Sequence, residues 1–547
     1  MATPLPPSPV LPPPPPAVAA HPTSSFTSDP SPDPFATPSV SRSATFSRFS
    51  IADSNAPDGA EGDAGGEAEA DAQALGPVDG GKGAWFFVVA AFVLETFIWG
   101  YSYSFATILV YFESHDPWQK SSLASLSAVG TTQLGIQFIL PLFITLLYRR
   151  YPEWVKPALW TSVGVSCGSM LLSSWATQVW QLILLQGVLC GVSGAALYTP
   201  VFLWMSEWWV EKRGLASGII FAGTGMGGFC FPFLINALLT SRPSSDTSPS
   251  SSGFSWMCRA WALITLLMFS LSVWLIGPRV PPPRRQGKVG RTLRRWVKGE
   301  RAQGGEVARG RGRERGPWLA GAGELGTLKN PIFGMMCLAS LLSSLSTLPV
   351  SLNIGIYSSS LAPSSLPHIQ RELAISLFNL AASLGCAVTG YLSDYSYAHA
   401  TTVCGLMGAV LSLSAWGLAD TLPKTWGFAV VFGFFSQQVA AWSSSARDVA
   451  GSNPHTASLI FCLFSVVRGV ASIVMPFVSE VLYNRGERET SANWGAYGFG
   501  KMIIFVGVTA FLSSLGGLAL HVLRLKQQRR HQRLRAGEGK VRAGAGA

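Results

Sequence analysis

The chain reads as an all-α membrane protein, with twelve transmembrane helices arranged in two six-helix bundles. Three observations predict this. Of 547 residues, 48% are hydrophobic and only 13% charged, whereas an ordinary globular domain is about 25% charged. From residue 84 onward, apolar runs long enough to cross a bilayer (roughly 20 residues) alternate with short polar breaks. The basic residues gather in alternate breaks instead of being spread evenly. The mean hydropathy of +0.31 agrees.

Residues 1–83 come first and differ from the rest. They hold Pro12 to Pro16, many Ser and Ala, and an acidic Gly/Ala stretch from Glu61 to Asp71. Such a segment buries no core, so a disordered tail is expected. It has no apolar N-terminal stretch of the kind a cleaved signal peptide requires. The five prolines suit an SH3-type domain, though a solvated polyproline tail is the simpler reading. Ser43, Thr45, Ser47 and Ser50 beside Arg42 and Arg48 are weak phosphorylation signals.

The expected spans are 84–111, 122–148, 157–176, 179–205, 213–240, 256–277, 331–358, 367–392, 402–420, 425–445, 456–483 and 497–524. The break 278–330 divides them into an N-terminal bundle, 84–277, and a C-terminal bundle, 331–524. That break carries Arg284, Arg285, Lys288, Arg291, Arg294, Arg295 and Lys298. The tail 525–547, with the end of the last span, carries Lys526, Arg529, Arg530, Arg533 and Arg535. Arg149-Arg150 and Lys212-Arg213 lie on the same side if the spans cross alternately. The positive-inside rule then puts both termini and the central loop in the cytoplasm. The net charge of +11 is thus a statement about topology, not nucleic-acid binding. The eight cysteines form no close pairs, so they read as small apolar residues, not as a zinc or redox site.

The run Trp208-Trp209-Val210-Glu211-Lys212-Arg213-Gly214-Leu215-Ala216-Ser217-Gly218, continuing through Gly223-Thr224-Gly225-Met226-Gly227-Gly228, is the most informative stretch. Each glycine would cost roughly 1 kcal/mol against alanine in a soluble helix. In a membrane the same residues let two backbones approach closely, where hydrophobic burial no longer drives helices together.

Six plus six spans around a long basic loop resemble the major facilitator superfamily. Further motifs resemble its monocarboxylate transporter family, in the fungal branch. Asp79-Gly80-Gly81 before Trp85 is similar to that family's entry into the first span, and Tyr103-Ser104-Phe105 is similar to the branch. So are Arg149-Arg150-Tyr151-Pro152, the run Gly187 to Pro200, and the Trp208 to Gly228 block followed by Pro232. The likeness covers 79–277 well. It is thinner over 331–524, where Asn379, Gly385, Gly390, Asp394, Arg468-Gly469 and Pro476 are its anchors. It implies the major facilitator fold and transport of a small organic solute.

Two departures limit what it implies. Animal members carry a lysine in the first span, and none stands between Glu95 and Phe112. The family's Gly-Arg-x-x-x-Gly in the eighth span reads Gly385-Cys386-Ala387-Val388-Thr389-Gly390, so Cys386 replaces the anion-binding arginine. Ala382 stands where an acid is expected one turn earlier. Proton-coupled lactate transport therefore does not carry over as it stands, and a neutral or larger substrate gains weight.

A charge inside a membrane helix is costly, which makes each one a functional candidate. Glu95, near mid-depth in the first span, reads as a proton carrier or as a structural carboxylate bonded to a hydroxyl or another helix. Arg468, near mid-depth in the eleventh span, reads as an anion-binding group or as half of an ion pair between the bundles. Tyr198, Asn353 and Asn379 are further substrate or proton candidates, with Gln133, Gln137, Gln437 and Gln438 as polar wall residues. Any of these also suits a helix–helix hydrogen bond. Glu207, Glu211, Lys212, Arg213 and Asp394, at the cytoplasmic ends of spans, are candidate gate residues or interfacial anchors. Pro141, Pro200, Pro232, Pro349 and Pro476 are expected to kink their helices. Trp85, Trp118, Trp154, Trp175 and Trp180 read as interface anchors, and the scattered histidines as solvated side chains at helix ends.

No phosphate loop, metal spacing or nucleophile motif is present, so the chain reads as a transporter and not an enzyme, with no cofactor. Its partners are a small-molecule solute, the bilayer and, as coupling ion, protons; no nucleic acid is implied, and no single-span accessory partner is specified. The alternative function is a transporter-like sensor that binds solute and signals through its tails. Either the plasma membrane or a vacuole-type membrane fits.

Overall fold

The structure, a computed structural model, describes residues 77–545 apart from 116, 242–252, 281–327, 362–367, 452 and 485–493. The tail with its prolines and serines, and nearly all of the central basic loop, lie outside the described residues. So does most of the serine-rich break 241–255.

The helices, in chain order, are α1 Gly81–Tyr103, α2 Phe105–Ser114, α3 Leu123–Arg150, α4 Val155–Ser173, α5 Val179–Trp208, α6 Arg213–Thr240 and α7 Gly253–Leu275. They continue with α8 Pro331–Leu361, α9 His368–Leu411, α10 Leu422–Phe435, α11 Trp442–Ala450, α12 Pro454–Leu482 and α13 Gly500–Ala545. Among the described residues, nine stretches are long and apolar enough to cross a membrane. One of them, Leu373–Trp416, holds the eighth and ninth expected spans together. Ser396, in extended conformation (φ −161°, ψ 100°), breaks the helix between them. The third and tenth expected spans are not among the nine. The tenth divides: α10 has 14 residues, roughly 21 Å at 1.5 Å per residue, and a 3-10 turn at Gln438–Ala441 leads into α11.

Local chemistry sets several of these boundaries. Ser122 accepts the Ser125 amide (3.2 Å) and starts α3. Gln178 and Gln181 form a reciprocal box at the start of α5, satisfying amides that have no partner in the first turn. Pro141, Pro200, Pro232, Pro349 and Pro476 all lie inside helices. On α8 the Asn353 amide donates to the Pro349 carbonyl (2.9 Å). A π-helical stretch, Ile183–Leu189, interrupts α5. It carries Gln186, whose side-chain oxygen accepts the Tyr101 hydroxyl at 3.1 Å.

α6 is the central wedge, packing along α1 on one side and α9 on the other. A Cβ placed on Gly100 of α1 would fall 2.6 Å from the Gly227 Cα, and one on Gly218 would fall 2.5 Å from the Cys386 carbonyl oxygen of α9. Contacts this close are possible only between glycine faces. The second long seam joins α3 and α12: the Thr145 hydroxyl meets Cys462 Sγ at 3.2 Å, and the Ser465 hydroxyl donates to the Phe138 carbonyl at 3.2 Å.

Lys156 of α4 closes the end of α7. Its Nζ donates to the Val273 carbonyl (3.0 Å) and to that of Ile276, and lies 5.6 Å above the Trp204 ring. Carbonyls at a helix C-terminus lack intrahelical partners and favour a cation. Lys156→Met is therefore expected to destabilise the N-terminal helices by about 1–2 kcal/mol. A lower melting temperature in detergent, with solute binding intact, is the outcome to look for; an unchanged melting curve would remove this role.

Candidate functional site

Apolar helices crossing a bilayer present few groups able to hold a polar solute. Those near the middle of their helices come from several helices. Arg468 of α12 is half-buried, and its guanidinium carbon lies 6.0 Å from the centre of the Phe138 ring of α3. Phe138 packs against Trp99 of α1 (4.5 Å between ring centres), and Trp99 meets Tyr198 of α5 edge to face at 5.5 Å. Tyr198 in turn packs on Phe202 at 4.3 Å. An unbroken aromatic path thus leads from the guanidinium across α3, α1 and α5. Among the described residues no carboxylate pairs with Arg468.

Glu95 of α1 is fully buried. Its Oε2 accepts the Thr224 hydroxyl of α6 at 3.1 Å, and its Oε1 has no partner. The Trp99 indole N–H, one turn further along the same face, is likewise buried and unpartnered. Glu95 and Arg468 both lie within electrostatic reach of Tyr198, and both also reach Cys386. Cys386 is buried and donates to Gln437 Oε1 at 3.3 Å. Gln437 stands at the break between α10 and α11 and is held by the Gly433 carbonyl and the Ser436 hydroxyl. Broken helices are a common way for a membrane transporter to expose polar groups at mid-depth.

The expected substrate residues therefore separate. Glu95, Tyr198 and Arg468 share one region. Asn379 instead donates to the Gly228 carbonyl (3.2 Å), joining α9 to α6. Asn353 is bonded within its own helix.

The expected gate residues separate too. Asp394 of α9 reaches across to the start of α6, where its two oxygens accept the amides of Gly214 (2.6 Å) and Leu215 (2.8 Å). A carboxylate at a helix N-terminus meets free N–H groups and the positive end of the helix dipole. Ser444 also donates to Asp394 (3.3 Å), and the Ser217 and Ser443 hydroxyls bond to each other. Glu207 stays local: its Oε2 accepts the amides of Arg279 (3.0 Å) and Val280 (3.2 Å). Glu211 and Lys212 contribute through their backbone. Their amides, with that of Val210, donate to the carboxylate of Asp79, at 2.8–3.0 Å. Asp79 itself has φ +57° and donates its own amide to the Trp208 carbonyl.

Trp99, Phe138 and Thr224 were not singled out as site residues by sequence reasoning. The available signal for Trp99 was its place four residues after Glu95. Thr224 could have been noticed as the hydroxyl inside the glycine run. Phe138 had no signal, because one phenylalanine in an apolar run looks like any other. Among the described residues, no group of three or more His, Cys, Asp or Glu could hold a metal ion.

The description "Major Facilitator Superfamily" belongs to a family model that matches residues 84–476. The chain is 25% identical over 445 residues to the MFS transporter asaE of Aspergillus flavus, covering 80% of this chain and 87% of that one. It is 32% identical over 208 residues to the MFS-type transporter eupM of Phoma sp, covering 38% and 69%. With the Fujikurins efflux protein of Gibberella fujikuroi it shares 21% identity over 444 residues, covering 80% and 82%.

Proposed function

Since the chain belongs to the major facilitator superfamily, a family of multi-pass membrane proteins that transport small solutes, we propose that it moves a small organic solute by alternating access. The solute binds between the two six-helix bundles, at Arg468, Trp99 and Tyr198. The observation that carries this reading is Arg468: a guanidinium in the middle of α12, without a carboxylate partner among the described residues, set at the end of an aromatic path. A free guanidinium binds carboxylate through two parallel hydrogen bonds. The aromatic faces suit a planar or apolar body attached to that acid. A monocarboxylate with an organic body larger than lactate fits both features. The efflux protein among the relatives supports export from the cytoplasm as the direction.

Gradient coupling follows from Glu95. Glu95 is fully buried, with one hydroxyl partner on Oε2 and none on Oε1, which leaves an acceptor free to take a proton. Arg468 and Glu95 act on the same two side chains. Glu95 and Arg468 are therefore assigned to one site, in which proton and anion are carried together. Glu95→Gln should leave solute exchange intact and remove its dependence on a pH gradient. Unchanged gradient-driven transport in that variant ends the coupling role.

The seams α6–α9 and α3–α12 are both packed at the end of the bundle that carries Arg149, Lys212 and Arg213. With that end in the cytoplasm, as the positive-inside rule has it, the cytoplasmic gate is shut. The deciding experiment is flux in proteoliposomes with the full chain and with a chain lacking residues 1–78. Saturable flux in both supports transport. Saturable binding with no flux in either would instead support a solute sensor.

A further inference from the structure

Arg213 opens α6 and is only 3% exposed, yet its Nε and Nη2 have no hydrogen-bond partner. A buried ionised group of this kind is strongly unfavourable unless a counter-charge and hydrogen bonds compensate it. The charge that acts on Arg213 makes matters worse, because it is a second cation, Arg447 of α11. Asp394 does not compensate it. Its oxygens are engaged by the Gly214 and Leu215 amides and the Ser444 hydroxyl. Among the described residues no carboxylate forms an ion pair with either arginine. Arg447 is exposed and acts on Asp394 as well as on Arg213, so both guanidinium groups stand near the α6–α9 seam. The positive end of α6 is already met by Asp394, but the buried Arg213 guanidinium, with Arg447 close enough to act on it, still calls for an anion.

We propose that Arg213 and Arg447 form a binding site for a phosphate-type oxyanion that bridges the two bundles and holds the basic end closed. The guanidinium fork matches the spacing of phosphate oxygens and offers several N–H donors to each anion. The site is separate from the transport site. Arg213 lies eleven residues before Thr224 on α6, roughly 16 Å along the helix axis. The anion acts as a latch: it binds both arginines when the seam is closed and loses one when the seam opens. Its affinity is thereby coupled to the conformation of the gate. A free phosphate group in the aqueous phase and the headgroup of an anionic lipid both supply this chemistry, the latter concentrated at a basic membrane face.

The test uses the full chain in nanodiscs. In neutral phosphatidylcholine, inorganic phosphate is titrated at constant ionic strength against chloride. In parallel, phosphatidic acid is introduced into the nanodiscs without added phosphate. Melting temperature and the separation of spin labels across the basic end are both read. Phosphate or phosphatidic acid is expected to raise the melting temperature by several degrees and to shift the labels toward the short distance. A response to free phosphate assigns the source to a solute; a response to the lipid alone assigns it to the headgroup. Arg447→Ala, at an exposed position, is expected to weaken either response at least tenfold in apparent affinity. Arg213→Lys keeps the charge, loses the fork, and should lie between. No response to either probe, a chloride response equal to that of phosphate, or an undiminished response in Arg447→Ala overturns the proposal.

Discussion

Replacement of Arg468 by alanine is expected to weaken binding of an anionic solute by roughly a hundredfold, or about 3 kcal/mol, the worth of one or two hydrogen bonds to a charged group. The folded protein should persist. Arg468 is half-buried and has no carboxylate partner among the described residues, so its removal strands no opposite charge. Arg468→Lys should recover part of the loss, since a lysine keeps the charge without the planar fork. The reading gives a clear contrast between ligands: neutral analogues should bind the wild type and the alanine variant alike. Equal affinity of both proteins for every acid tried would remove Arg468 from the binding site. The observed solute would then have to be held by uncharged groups such as Gln437 and the Trp99 indole.

The second large effect is steric. Gly218→Val should prevent the α6–α9 seam from closing. A Cβ at this position lies 2.5 Å from the Cys386 carbonyl oxygen, 2.9 Å from the Gly390 Cα and 3.3 Å from the Ala387 Cα. All three are backbone atoms, which cannot swing aside, so the strain exceeds the usual 1–3 kcal/mol of an overpacked core. With the helices pushed apart, Asp394 loses the amides of Gly214 and Leu215, and the gate is held open. Transport should stop while binding from the basic side persists. Cys386, now 4% exposed, should become reactive to a thiol reagent applied on that side. Gly164→Val is the matched control, because nothing lies within 4 Å of its Cβ; it should transport normally. Normal transport by Gly218→Val would mean that closure of this seam is not part of the cycle.

How much of the site was legible follows from the solvent. In hydrocarbon a charge is so costly that it stands out from the letters alone, which is why Glu95 and Arg468 were visible without a structure. The same contrast exposed Asp394 and the cluster around Lys212. Aromatic residues give no such contrast. Trp99 and Phe138 line the path to Arg468, yet in an apolar run they look the same as aromatics that face lipid. Polar residues of middling cost were ambiguous for a related reason. Asn379 was as good a cavity residue as Gln437, but it joins α9 to α6, whereas Gln437 sits at a helix break beside Cys386. Asp79 was seen as part of a motif, but its bonds to three amides of a loop more than a hundred residues away were not.

The letters alone settled the class of molecule and the charges that need explaining. Those properties depend on composition and on the local period and length of apolar runs, which a bilayer reads residue by residue. Tertiary structure decided pairing: that Asp394 caps α6 while Glu207 bonds the chain just after α7, that Arg468 lacks a carboxylate among the described residues where an ion pair was possible, and that Arg213 is buried within reach of a second arginine. Each of these depends on which helix faces which, and at what height. In a membrane, every apolar face is equally at home against lipid. The choice between faces is left to close backbone contact and to a few hydrogen bonds between residues far apart in the chain.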